Sequence, residues 1–182
     1  MKGWAEVYGK PVVGVSTLEA VAFQARAGST VLVPALDAQR GQMYFGVYRT
    51  AASGLALEGE EYVVTPEEFA EQLGALAHRR GANGKQGDNS SHRHSAGNSE
   101  AGNGGGAFTI VTPDASVVEL ASRLTPQFST EFVGLDIVSS VLAPSIGRIA
   151  HVRALRGDVS DALTLDANYV RRTDAEMRWK DG

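Results

Sequence analysis

Residues 31–36 (VLVPAL) are apolar without a break, as in a strand buried on both faces. After a polar reversal, residues 42–48 (QMYFGVY) alternate. Met43, Phe45 and Val47 fall on one side and Tyr44, Gly46 and Tyr48 on the other, a period of two that predicts a strand. Residues 57–64 predict a further strand after a Gly-containing turn. Upstream, Val12, Val13 and Val15 suit a short buried strand. Ser16 or Thr17 can then cap a helix whose apolar stripe is Leu18, Val21, Ala22 and Ala25, with Glu19 near its positive end and Gly28 past its stop. Thr65-Pro66-Glu67-Glu68 opens another helix, with a capping Thr, Pro at the first helical position and acids behind it. Phe69, Leu73 and Leu76 form its inner face.

Residues 108–111 predict a strand, and Pro113-Asp114 leads into a helix bearing Val117, Val118, Leu120, Ala121 and Leu124. A short strand is expected near Glu131–Val133. A last helix starts at Pro144, carries Ile146, Ile149, Ala150, Val152 and Leu155, and ends at Gly157. Tyr169 to Arg171 reads as extended. At the start of the chain, Trp4, Val7 and Tyr8 fall on one helical face and Gly9 and Pro11 stop that helix. The chain thus opens on the last turns of a helix without a cap, either as a frayed terminus or as the continuation of sequence upstream. Strands and helices are mixed, with three consecutive strands in the middle, which predicts an α/β domain built on a central mixed sheet flanked by helices.

Composition changes this picture in one place. Residues 79–106 lack Val, Ile, Leu, Met, Phe, Tyr and Trp and hold eight of the 21 glycines. Such a stretch buries too little apolar area to offset an ordering entropy of about 1–2 kcal/mol per residue. We read 1–78 and 107–176 as one domain, 79–106 as a disordered Gly/Asn/Ser-rich insertion, and 177–182 as a tail. The net charge of −4 gives no global basic field for nucleic acid. The chain has no cysteine, which excludes thiolate chemistry and disulfides and fits a cytoplasmic location. No apolar run approaches the ~20 residues of a membrane span.

Chemistry-bearing groups are few. His92 and His94, with His78 before them, have a spacing that a metal ion can use, but their segment offers no scaffold to orient imidazoles. They leave a metal-dependent peptidase or hydrolase as the alternative reading. No nucleophile elbow, phosphate loop or zinc-peptidase motif is present, so no catalytic residue and no metal ligand is assigned. His151 reads as an ordinary helix residue. The better candidate is the reversal Asp37-Ala38-Gln39-Arg40-Gly41. Asp37 can accept backbone N–H bonds across the turn, and Arg40 can bridge to Asp37 or reach outward to an anion. Of Arg171 and Arg172 on an extended segment, at most one can turn inward; a solvated charged tail is the plainer reading.

Three stretches together resemble one family. They are Gly14-Val15-Ser16-Thr17-Leu18-Glu19-Ala20, then Leu36 to Tyr44 (LDAQRGQMY), then Tyr169-Val170-Arg171-Arg172. Their order and spacing are similar to the bacterial tRNA threonylcarbamoyladenosine biosynthesis proteins of the TsaB (glycoprotease-like) family. The resemblance spans 1–77 well and 108–176 loosely. It implies an actin-like, Hsp70-like ATPase fold of ribonuclease-H-like lobes, here mainly the second lobe. It also implies a non-catalytic subunit that pairs as a heterodimer with the catalytic paralogue TsaD, is joined by the ATPase TsaE, and meets tRNA through the complex. No cofactor is implied in this chain; ATP and metal belong to the partner subunits. Asp37, Arg40, Gly41, Tyr44 and Arg171 are the interface residues it suggests. The family's first-lobe motifs, Ile-Asp-Thr-Ser and Gly-Pro-Gly-Ser-Phe-Thr-Gly, are not in this sequence. They are expected upstream in the same reading frame. Gln39 replaces an Arg of the family pattern, Gln42 a Glu, and Ala167 a Pro.

Overall fold

The computed structural model describes residues 2–26, 28–83, 108–124, 133–163 and 165. The elements run α1 (Lys2–Val7), α2 (Thr17–Ala22), β1 (Val31–Asp37), β2 (Met43–Phe45), β3 (Tyr48–Ala51), β4 (Gly54–Leu57), β5 (Tyr62–Val64), α3 (Pro66–Asn83), β6 (Phe108–Thr112), α4 (Ala115–Leu124), β7 (Val133–Ile137) and α5 (Ala143–Leu155). The strand predicted over 42–48 is divided into β2 and the start of β3, and the one over 57–64 into the end of β4 and β5.

Both divisions trace to Pro34. It lies in the middle of β1, where its carbonyl accepts from Gly46 N–H at 3.3 Å. It has no N–H to return, so the antiparallel ladder cannot continue through that residue. The pairing therefore breaks at Gly46–Val47. The Ala35↔Phe45 to Asp37↔Met43 register lies on one side of the break and Val31↔Arg49 with Leu32↔Tyr48 on the other. The outer strand follows the same bend, β5 pairing with β2 and β4 with β3. On its other edge β1 pairs in parallel with β6, and β6 in parallel with β7. A bent antiparallel meander followed by two parallel strands, with helices between them, is the central mixed sheet flanked by helices expected from the sequence.

The sheet is covered on both faces, and the alternation in the sequence decides which side chain goes where. Val31, Val33, Ala35, Met43, Phe45, Phe108 and Ile110 pack with Phe69, Leu73 and Leu76 of α3 and Val117 and Ala121 of α4. Phe45 meets Phe69 edge-on at 5.1 Å between ring centroids. The opposite face places Leu32, Tyr48 and Val111 against Leu18, Val21 and Ala22 of α2. The start of α3 is a reciprocal capping box: Thr65 N–H donates to Glu68 Oε2 at 2.8 Å and Glu68 N–H to Thr65 Oγ1 at 3.3 Å.

Three expectations need correction. Val12, Val13 and Val15 form no strand; Val12 makes an isolated bridge to Ser160, and all three side chains are only partly covered. Helix α1 forms as expected; Trp4, Val7 and the following Tyr8 face outward, at 76, 78 and 61% exposure, and Ala5 is its buried residue. A helix of six residues presents too little surface to pack both sides. Helix α3 runs on to Asn83, past the composition break at 79, because Arg79 to Asn83 contain no proline and extend an established helix. Strand β7 is Val133–Ile137, C-terminal to the position predicted. Most of the 79–106 insertion (84–106), the segment with Tyr169 and Arg171, and the 177–182 tail lie outside the described residues.

Candidate functional site

The Asp37–Gly41 reversal is a hairpin tip of unusual backbone. Gln42 N–H donates to Gln39 C=O at 3.1 Å, and Ala38 N–H to Gln42 C=O at 2.9 Å. The two residues inside the tighter closure, Arg40 and Gly41, have φ of +56° and +71°, and Gln39 before them has φ of +66°. Positive φ at both central residues defines a primed turn, whose twist matches that of the flanking strands. The sequence advertises this conformation only at Gly41. Gln39 and Arg40 are side-chain-bearing residues held left-handed, at about 1–2 kcal/mol each.

What holds them is Asp37 and the start of α4. Asp37 Oδ1 accepts from Gln39 N–H at 2.7 Å, a local Asx closure. Its Oδ2 accepts from Ser116 Oγ at 3.4 Å, and its N–H donates to Asp114 Oδ2 at 2.8 Å. Asp114 is oriented in turn by its own N–H donating to Thr112 Oγ1 at 3.1 Å. Both Asp37 oxygens thus serve the scaffold. Ala38 is buried, while Gln39, Arg40 and Gly41 are exposed. The arrangement fixes a turn and presents Arg40 at its apex. Tyr44 lies farther along β2, opposite Leu36 in register and half-buried with the α2 face of the sheet. The fold brings Asp37, Arg40, Gly41 and Tyr44 to one hairpin; Arg171 is outside the described residues.

The motif at residues 14–20 builds a second cluster. Ser16 caps α2, its Oγ accepting from Leu18 N–H at 3.1 Å. The same hydroxyl donates to Glu61 Oε1, which also accepts from Tyr48 Oη at 2.5 Å. Burial, and then the bond to Glu61, push the Tyr48 phenol well above its ordinary range. Glu19 does not act as a simple helix-end acid. It is buried, and Arg153 of α5 grips both its oxygens through Nη2 at 2.8 and 3.0 Å while Nη1 donates to Gly14 C=O at 2.8 Å. Burial raises the Glu19 carboxyl above the usual carboxylate range, outweighing the pull of the Arg153 guanidinium in the other direction. Gly14 is confined as well: a Cβ there would sit 3.1 Å from Leu165 Cδ1.

The sequence reading placed Tyr48 on its strand without a role in this cluster, and it missed Glu61 and Arg153. The signal for Arg153 was Glu19 itself, an acid on a stretch otherwise bound for burial, which requires a cation from elsewhere. His78 and His151 are exposed, on α3 and α5, and His92 and His94 lie outside the described residues. Among the described residues no group of three or more His, Asp or Glu is placed to hold a metal ion, and no helix is long and apolar enough to cross a membrane.

A family model described as TsaD, tRNA N6-adenosine threonylcarbamoyltransferase, matches residues 1–133, which include both the α2 motif and the hairpin tip. No curated protein matches the chain. Among solved structures, a Pseudomonas aeruginosa protein described as uncharacterized with similarity to peptidase YeaZ aligns at 22% identity with a TM-score of 0.56, covering 93% of this chain and 63% of its own. YeaZ from Pseudomonas aeruginosa aligns at 20% identity with a TM-score of 0.52, covering 90% of this chain and 60% of its own. The chain therefore spans less than two thirds of the length of either structure. Its fold is that of YeaZ, the TsaB-like fold, and the chain belongs to the TsaD threonylcarbamoyltransferase family.

Proposed function

We propose that the chain serves in forming threonylcarbamoyladenosine in tRNA as a TsaB-like, non-catalytic subunit. In this reading it binds and activates the catalytic TsaD paralogue in the cytoplasm, with the TsaE ATPase as a further component and with ATP and metal held by those partners. The observation that carries the reading is the family match across residues 1–133, which takes in the two stretches that first suggested it. The geometry is consistent with a contact rather than a reaction. The hairpin tip holds two non-glycine residues left-handed and uses Asp37 to fix them. Strain of this kind persists where a surface must be presented in one shape. Arg40 is the side chain at the apex and the contact residue of the proposal.

The test is reconstitution with TsaD, TsaE, ATP, the threonylcarbamoyl precursors and unmodified tRNA, with modified nucleoside read by mass spectrometry. Addition of this chain should raise modification above the level of TsaD and TsaE alone, and Arg40→Ala should lower that gain by about tenfold, the worth of one charge-assisted contact. Equal modification with and without the chain, together with no measurable binding to TsaD, overturns the proposal. Metal content separates it from the peptidase alternative: stoichiometric zinc lost on changing His92 and His94 together would favour that alternative.

A further inference from the structure

A cleft of about 500 Å³ opens between α5, α2 and the β3–β4 turn, on the α2 side of the sheet and away from the hairpin tip. Its floor is the Glu19–Arg153 pair, which neutralises itself, with Asp158 drawn to Arg153 Nε at 3.7 Å. Its walls are of two kinds. One is apolar: Phe23 and Leu55 on one side, Ile149 and Val152 on the other. The other is cationic. Arg148, Val152 and Arg156 are spaced at i, i+4 and i+8 along α5 and its C-terminal cap, so the two guanidinium stems rise from one stripe, about 12 Å apart at the backbone. Arg156 is steadied by its Nη1, which donates to Ser53 C=O in the β3–β4 turn at 2.8 Å and leaves its remaining donors available. Arg148 is exposed and makes no hydrogen bond or ion pair among the described residues.

Three arginines face two acids here, in a chain whose net charge is −4. The local excess of positive charge thus runs against the whole molecule. The cations are arginines, whose planar forks suit oxyanions. Phe23, at 42% exposure, offers a ring to the opening. A concave site of this size with apolar walls and a few converging polar groups is the ordinary form of a small-molecule site. We propose that this cleft binds a small phosphate ester with an aromatic or apolar body, the phosphate between Arg148 and Arg156 and the body against Phe23, Ile149 and Val152. The proposal is independent of any TsaD contact.

Titration calorimetry of the full chain with phenyl phosphate, inorganic phosphate and benzoate tests it, with heteronuclear NMR to locate the shifts. Phenyl phosphate should saturate one site and move the resonances of Phe23 and of α5. Inorganic phosphate should bind at least about tenfold more weakly for want of the apolar contact. Arg148→Ala should weaken phenyl phosphate by about tenfold or more, a charge-assisted bond lost. Phe23→Ala should weaken phenyl phosphate and leave inorganic phosphate unchanged. Arg123→Ala, on α4 at the other face, should change nothing. Both arginines are exposed, so the variants keep the fold. Absence of saturation by about 10 mM, equal effects of Arg148→Ala and Arg123→Ala, or benzoate binding as tightly as phenyl phosphate would each overturn the assignment.

Discussion

Arg153→Ala offers the sharpest test of how the α2 motif is held. The substitution removes two bonds to Glu19, one to Gly14 C=O and the weaker attraction to Asp158. The dominant loss is not the bonds themselves. Glu19 has a side chain only 9% exposed, so a charged carboxylate remains buried without its counterion, and breaking a buried pair from one side costs roughly 3–5 kcal/mol. Arg153 is itself 29% exposed, and its release returns up to ~2 kcal/mol of side-chain entropy. Both considerations point to the low end, about 3 kcal/mol near neutral pH. In a chain of this size that lowers the melting temperature by about 6–12 °C.

The sign of the pH dependence follows from Glu19. Its folded carboxyl is raised by burial, and loss of Arg153 raises it further, so the folded variant binds a proton more readily than the unfolded chain. Stability attributable to this group therefore falls as pH rises through the raised value and returns as acid protonates the carboxyl. Measured against wild type at each pH by urea unfolding, the deficit of Arg153→Ala should shrink from neutral pH toward the ordinary carboxylate range. Adding Glu19→Gln to Arg153→Ala should recover about 2 kcal/mol near neutral pH, because it removes the stranded charge. A deficit that is independent of pH, or a double variant no more stable than the single one, would refute this account of the cluster.

Other outcomes follow from the same packing. Gly134→Ala should destabilise by about 1–3 kcal/mol in denaturant unfolding, since a Cβ there would lie 2.8 Å from Thr109 Oγ1, which is bonded to Ser29 Oγ at 2.6 Å. Arg40→Ala should change stability by no more than about 0.5 kcal/mol while reducing partner-dependent activity; a variant that unfolds would make the tip a structural element alone. Deleting residues 84–106, which hold no large apolar side chain, should shift stability by less than about 1 kcal/mol, and loss of cooperative melting would show that the segment packs on the domain.

The sheet was largely legible because its signals are local. Alternation over 42–48 assigned Met43, Phe45 and Val47 to one face and Tyr44 and Tyr48 to the other, and the packing agrees. The capping box at Thr65–Glu68 was readable within four residues. The break opposite Pro34 was not read, although the proline stood in view, because its effect falls on a partner strand whose register the sequence does not state. The left-handed pair Gln39 and Arg40 left no mark either, since glycine is the residue that signals positive φ. Arg153 was out of reach for a different reason: it lies 134 positions from Glu19, and no periodicity connects them. Helix α1 was legible from its periodicity, which states the helix but not which side of it is covered, and Trp4 and Val7 stand exposed.

That separation of 134 residues has a consequence for how the chain is made. At a synthesis rate of about 5–20 residues per second, Arg153 is translated roughly 7–27 s after Glu19. Through that interval α2 and the antiparallel meander are present, but the carboxylate has no counterion and stays cheapest in water. The nascent α2 is therefore expected to dock on β1 only once α5 arrives. The segment just beyond α5 then ties back to the chain's beginning through the Val12–Ser160 bridge. Ribosome-bound chains stalled before residue 153 should show α2 open to protease while the meander is already protected, and chains released beyond residue 160 should show both closed. The ion pair would thereby couple the docking of α2 to the arrival of α5.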